Sequence, residues 1–189
     1  MYLKSMSGFA YGQLKPLNRD YFLLALSIWL FAASCTSGPA TDKGKFTELA
    51  REAGTLKASL AAGASYRQFS ESLHKFSTQI AFLRAKTATK EEKDLLDAYA
   101  DLLAIYQDGL VLWRYKLEFA PFGFVPKGSI YVGQDVDPIV LKYRLTTQSH
   151  LYQPTKQYWK SIPDDSIQII WSNADSQLKI IENMMRYQG

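Results

Sequence analysis

The sequence has very few of the residues that catalytic and metal sites most often use. It contains one cysteine and two histidines, His74 and His150, which stand far apart in the chain. A His-x-x-x-His zinc spacing, a Cys-x-x-Cys-His haem motif, a Gly-x-Ser-x-Gly nucleophile turn and a glycine-rich phosphate loop are all missing. We therefore predict no catalytic residue, no metal ion and no cofactor.

A concentrated charge of one sign is also missing. The 189 residues contain 22 Lys and Arg against 18 Asp and Glu, which gives a formal net charge of +4. A protein that binds nucleic acid is expected to cluster its basic residues on one face, and the sequence has no such run. We predict that nucleic acid is not a partner.

Acidic residues do share one predicted helix face, at Asp94, Asp97 and Asp101. Their spacing of three and four residues places the carboxylates together, as a hard cation would require. This face lies largely opposite the apolar positions of the same helix, and no Glu-x-x-His motif accompanies it. We interpret the cluster as a solvated helix surface.

Long hydrophobic runs are scarce, and the longest one lies near the amino terminus. The uncharged segment Tyr21 to Ala33 has 13 residues, whereas a helix needs roughly 20 apolar residues to cross a bilayer. Its length is typical of the apolar core of a signal peptide, and basic residues precede it. Small residues and then Cys35 follow directly, and a single cysteine in an exported protein has no partner for an internal disulfide.

This segment resembles the signal peptide of bacterial lipoproteins, in which a lipobox of small residues ends at an invariant cysteine. The resemblance implies a signal peptide at residues 1–34 and a lipid-modified Cys35 as the first mature residue. It also implies a membrane-anchored protein, on the periplasmic face of the outer membrane because Thr36, and no aspartate, follows the cysteine. We predict a flexible tether over 35–44, since it is small, polar and contains Gly and Pro. A domain follows over 45–189.

The domain has the apolar periodicity of amphipathic helices, and we predict an all-α fold. Four segments repeat apolar residues every three or four positions, and short links between the first three favour antiparallel packing. A shorter helix is predicted from Pro138, capped by Asp137, to about Tyr152. Ser129 to Val132 is the one alternating stretch and is too short to anchor a sheet. The prediction is an antiparallel bundle of four to five helices.

A long aromatic loop is predicted between the third and fourth helices, from Phe119 to Gly133. It has three phenylalanines and one tyrosine in 15 residues. Aromatic side chains in such a loop either pack over the end of the bundle or form a groove for a partner protein, peptide or glycan. The candidate binding residues in and near this loop are Trp113, Arg114, Phe119, Phe122, Phe124, Tyr131 and Trp171.

These observations support three hypotheses about function. The leading one is a non-enzymatic, lipid-anchored interaction or accessory module of the bacterial envelope. The second is a carrier of a small ligand, glycan or peptide, which requires a cavity among the candidate binding residues. The third is a hydrolase of envelope polymers, which requires His74 or His150 beside a serine and an acid in a cleft.

Overall fold

The computed structural model describes residues 42–187, which contain five α-helices and three β-strands. The predicted signal peptide, Cys35 and the predicted tether up to residue 41 lie outside the described residues. In the part that is described, no helix is both long and apolar enough to cross a bilayer. The elements are α1 (Thr47–Ala61), α2 (Tyr66–Arg84), α3 (Lys90–Phe119), β1 (Ser129–Val132), α4 (Asp137–Tyr143), β2 (Gln148–Tyr152), β3 (Gln157–Pro163) and α5 (Ile167–Tyr187).

The helical part of the prediction is confirmed, because helices account for most of the described chain. A capping box starts α3: the Thr89 hydroxyl accepts a hydrogen bond from the Glu92 amide, and the Glu92 carboxylate accepts one from the Thr89 amide. A second capping box, between Ser65 and Gln68, starts α2. Gly63 has a φ of +75° in the preceding turn, a conformation that favours glycine.

The apolar stripes of α1, α2, α3 and α5 meet in the larger of two hydrophobic cores. Its most buried aromatic residues are Phe46, Phe69, Phe76, Tyr99 and Tyr106, each no more than 1% exposed. Full burial of side chains of this size contributes about 1.5–3 kcal/mol each relative to exposure. This core therefore holds the four long helices together.

The expectation of an all-α fold is wrong in one respect, because the carboxyl half contains a three-stranded antiparallel sheet in the order β1-β3-β2. Ser129–Val132, which seemed too short to anchor a sheet, is its first strand and pairs with β3. Ile130, Val132 and Ile162 point from one face of the sheet into a second core against α3, α4 and α5. The short strand is stable because this face is buried.

The shorter helix begins at Asp137, one residue before the predicted start, and ends at Tyr143, not at Tyr152. The prediction that Asp137 caps it is wrong, because Asp137 is its first residue and no side chain caps this helix. Arg144 has a φ of +52°, and the amide of the next residue, Leu145, donates a hydrogen bond to the Val140 carbonyl. This left-handed residue ends the helix as a glycine normally does. The following residues then form β2, which turns into β3 through a loop in which Lys156 is also left-handed, with a φ of +57°.

The start of the described chain is fixed to the amino-terminal end of α3. The Asp42 amide and the Lys45 amino group donate hydrogen bonds of 3.2 and 2.9 Å to the Glu92 carboxylate, which is 1% exposed. The Lys43 amino group donates one of 2.7 Å to the Met185 carbonyl near the end of α5. Residues 42–44 of the predicted tether therefore already belong to the folded unit.

Candidate functional site

The second face of the sheet is covered with aromatic side chains. In the register of the sheet, Tyr131 of β1, Trp159 of β3 and Tyr152 of β2 point to the face opposite the buried Ile130 and Ile162. The chain between α3 and β1 folds back over this face and adds more rings. We call the resulting surface the aromatic face; its members are Phe119, Phe122, Phe124, Tyr131, Tyr152 and Trp159.

The six rings of the aromatic face contact one another in a continuous layer. Phe119 stacks on Tyr131 with 4.6 Å between ring centroids, and Phe124 meets the edge of Trp159 at 5.4 Å. Phe122 and Tyr152 each lie about 6 Å from Phe124. Phe122, Phe124 and Tyr152 remain 51%, 41% and 42% exposed. Exposed aromatic residues that form one contiguous patch are typical of interaction sites.

A buried tyrosine supports the aromatic face from below. Tyr115 of α3 stacks against Phe119 at 5.3 Å, and its hydroxyl donates a hydrogen bond to the Asp135 carboxylate. Burial, and then this carboxylate, raise the pKa of Tyr115 to about 12. The Arg114 guanidinium lies 5.5 Å from the Tyr115 ring and 3.8 Å from Asp135. Arg114 thus lies beside Tyr115 and Asp135, below the aromatic face.

The aromatic face ends at an open sheet edge, strand β2. In the sheet, β2 pairs only with β3, so its outer backbone groups have no strand partner within the described chain. The strand Gln148–Tyr152 has no charged residue and no proline, which are the usual devices that prevent pairing at an edge. Leu151, on the other side of the strand, is 39% exposed. The edge is therefore suited to receive another strand.

The structure divides the six aromatic candidate binding residues into two groups, and Arg114 belongs to neither. Phe119, Phe122, Phe124 and Tyr131 lie together in the aromatic face, as the loop composition predicts. Trp113 and Trp171 instead lie in the helical bundle, where they line a separate cleft. None of Phe119, Phe122, Phe124 and Tyr131 lines this cleft, so it is not the shared cavity that the carrier hypothesis requires.

His150 does contact a serine, but the pair lacks the other features of a hydrolase site. The His150 Nε2 and the Ser161 Oγ share a hydrogen bond of 2.8 Å, while the imidazole stacks on Trp159 at 4.3 Å. Ser161 is completely buried, and no carboxylate among the described residues hydrogen-bonds this imidazole. His74 is exposed on α2. We interpret the His150–Ser161 contact as a link between neighbouring strands.

The acidic residues Asp94, Asp97 and Asp101 are all exposed along α3. Among the residues that the structure describes, no group of three or more His, Cys, Asp and Glu is arranged to hold a metal ion. This placement agrees with the interpretation of these carboxylates as a solvated helix surface.

Two members of the aromatic face, Tyr152 and Trp159, are not among the candidate residues predicted from the sequence. Both belong to the β2–β3 hairpin, and Tyr152 was assigned to a helix. The signal that was available is the alternation in β3, where Trp159 and Ser161 point to one face and Lys160 and Ile162 to the other.

Comparison of the chain with protein families, with curated proteins and with solved structures finds no match. The fold and the site together define a mostly helical domain with a small antiparallel sheet, whose outer face presents contiguous aromatic residues. Any function must therefore be argued from these features of the chain itself.

Proposed function

We propose that this protein is a lipid-anchored interaction module of the bacterial envelope that binds an extended, apolar segment of a partner protein. The aromatic face beside the open edge of β2 is the observation that carries this proposal. The lipid anchor rests on the resemblance of residues 21–35 to a lipoprotein signal peptide. The periplasmic face of the outer membrane is the proposed location.

A protein segment fits the site better than a glycan does. Three of the six rings belong to phenylalanines, which offer no hydrogen-bonding group for sugar hydroxyls. The neighbouring β2 edge offers a row of backbone donors and acceptors. An added peptide strand can pair with this row, whereas a sugar has no matching row of hydrogen-bonding groups. Because β2 has no charge, an uncharged strand with apolar residues on alternate positions matches it best.

Replacement of Cys35 by alanine is expected to abolish attachment of fatty acids. The thiol is the proposed acceptor of diacylglycerol, and two or more acyl chains are needed for stable anchoring, at about 0.8 kcal/mol for each buried CH₂. The measurement is metabolic labelling with an alkyne fatty acid in a bacterial host, with fractionation of the membranes. An unlabelled wild-type protein, or equal label in both proteins, would contradict the proposed anchor.

Photo-crosslinking in cells tests the interaction. With p-benzoylphenylalanine at position 124, we expect an adduct with one envelope protein, mapped to an extended and uncharged segment of that protein. Phe82 on α2 is the matched control, because it is also a phenylalanine and is 55% exposed. The further change Leu151→Lys adds a charge to the β2 edge and is expected to remove the adduct.

Three outcomes would contradict the proposed partner. Equal adducts from positions 124 and 82 would indicate non-specific contact. An adduct that survives Leu151→Lys would exclude pairing with the edge of β2. An adduct with polysaccharide would instead support the glycan-binding alternative.

A further inference from the structure

The helical bundle contains a second feature that the proposed interaction does not use. A cleft of about 550 Å³ lies between the carboxyl end of α1, the carboxyl half of α3 and the first turns of α5, and it is partly open to solvent. Its volume is within the range of small-molecule sites, roughly 300–1,000 Å³, and its lining is mostly apolar. None of the six residues of the aromatic face lines it.

The walls of the cleft are flat aromatic rings held in fixed positions. Trp113 and Trp171 both line it, and Phe69 packs behind them with centroid distances of 6.1 and 5.7 Å. Tyr106 lines the cleft as well and lies 6.2 Å from Trp171. Rings that are supported from behind offer a rigid surface on which a planar ligand can stack with little loss of conformational freedom.

The rim of the cleft carries two lysines, each paired with an aspartate. Lys57, Lys116 and Asp175 line the cleft, and with Asp164 just outside the lining the four formal charges sum to zero. Lys57 pairs with Asp175 at 3.0 Å, and Lys116 pairs with Asp164 at 2.9 Å. All four side chains are between 38% and 51% exposed, and exposed pairs of this kind are weak. An anionic group of a ligand can therefore replace either aspartate as the partner of a lysine at little cost in free energy.

We propose that this cleft binds a small, planar, mostly apolar molecule with one anionic group. The ring system of the ligand packs against the two indole side chains, and its anionic group lies beside the lysines at the rim. This inference does not depend on the proposed partner of the aromatic face, and either proposal can fail without the other.

Two indole derivatives of nearly equal size test the proposal on the full-length protein. Indole-3-acetate is an anion at neutral pH, and indole-3-acetamide is its neutral counterpart. Ligand-observed NMR titration gives the dissociation constant of each. We expect both to bind, the acetate about three- to fivefold more tightly, as one partly exposed ion pair would provide.

Substitutions at the end of α1 locate the site. Ala61 lines the cleft and Ala62 does not, although both are exposed. Ala61→Trp is expected to fill the cleft and to abolish binding of both compounds, whereas Ala62→Trp is expected to bind them like the wild type. Lys57→Met is expected to remove the preference for the acetate. Lys75→Met, at an exposed position on α2, changes the net charge by the same amount and is expected to keep the preference for the acetate.

Several results would overturn the proposal. These are no binding of either compound, wild-type binding by Ala61→Trp, and a preference for the amide in the wild-type protein. Loss of binding in both tryptophan variants would also overturn it, provided that thermal unfolding shows both variants to be folded.

Discussion

Gly109→Ala is expected to destabilise the protein by about 2 kcal/mol, although alanine is the better helix former. Gly109 lies on α3, where a Cβ atom would be only 2.1 Å from Cζ3 and 2.2 Å from Cη2 of the Trp171 ring. Phe69 and Tyr106 pack against this ring at 5.7 and 6.2 Å, so moving it away from α3 would disturb both contacts. The absence of a side chain at this position therefore allows α3 and α5 to approach each other closely.

Gly54→Ala is the matched control and is expected to act in the opposite direction. Gly54 is exposed within α1, and a Cβ atom there would have no neighbour within 4 Å. Only the helix propensity changes, so we expect a gain of about 0.5–1 kcal/mol. Urea unfolding of both variants measures the two free energies. Effects of the same sign, or a Gly109→Ala variant as stable as the wild type, would contradict the packing argument.

Glu92→Gln is expected to remove a large part of the acid sensitivity of the fold. Hydrogen bonds from the Ala88 amide and the Lys45 amino group, followed by the Asp42 and Thr89 amides, lower the pKa of Glu92 from 4.5 to about 2. Because the folded state holds this carboxylate ionised, its stabilising contribution is complete above pH 4.5. The contribution is lost as the pH falls from about 4.5 to about 2.

The measurement is the free energy of unfolding as a function of pH in that interval. The wild type is expected to lose stability steeply there, and Glu92→Gln is expected to be less stable above pH 4.5 and to give a flatter curve. Glu91→Gln is the control, since Glu91 is the exposed neighbour on the same helix. A wild-type slope in Glu92→Gln would show that other carboxylates cause the acid sensitivity.

The helices could be predicted because their signals are local. The stripe Phe69, Leu73, Phe76 and Ile80 on α2 repeats every three or four residues, and the capping box of α3 lies within four residues. The sheet depends on distant contacts: Ile130 pairs with Ile162, 32 positions later in the chain. No short window of sequence contains both strands, and the alternation of inward and outward side chains within one short strand is weak evidence for a sheet.

Two turns of the carboxyl half also lack the glycine or asparagine that would predict them. Arg144 ends α4 and Lys156 lies in the hairpin loop, and both adopt the left-handed conformation that glycine or asparagine usually marks. Because no glycine or asparagine marks the end of α4, the apolar periodicity of the sequence continues from α4 into β2. The predicted helix was therefore too long, and Tyr152 was lost from the candidate site.

The candidate site was predicted in part because a loop keeps its own residues together. Phe119, Phe122 and Phe124 are close in sequence and remain close in space. Trp113 is only six residues before Phe119, but six residues of helix correspond to a rotation of roughly 240° around the axis. It therefore faces the bundle, and helical geometry is the reason that one candidate set became two sites.

Helix α3 separates the start of the folded unit from the aromatic face. The contacts of Asp42 and Lys45 are at Glu92, and the aromatic face begins at Phe119, which is roughly 40 Å further along the helix axis. If the protein is attached to a surface through its amino terminus, the aromatic face at the other end of α3 remains accessible to a binding partner. Immobilisation through that terminus is thus the natural geometry for surface-binding assays.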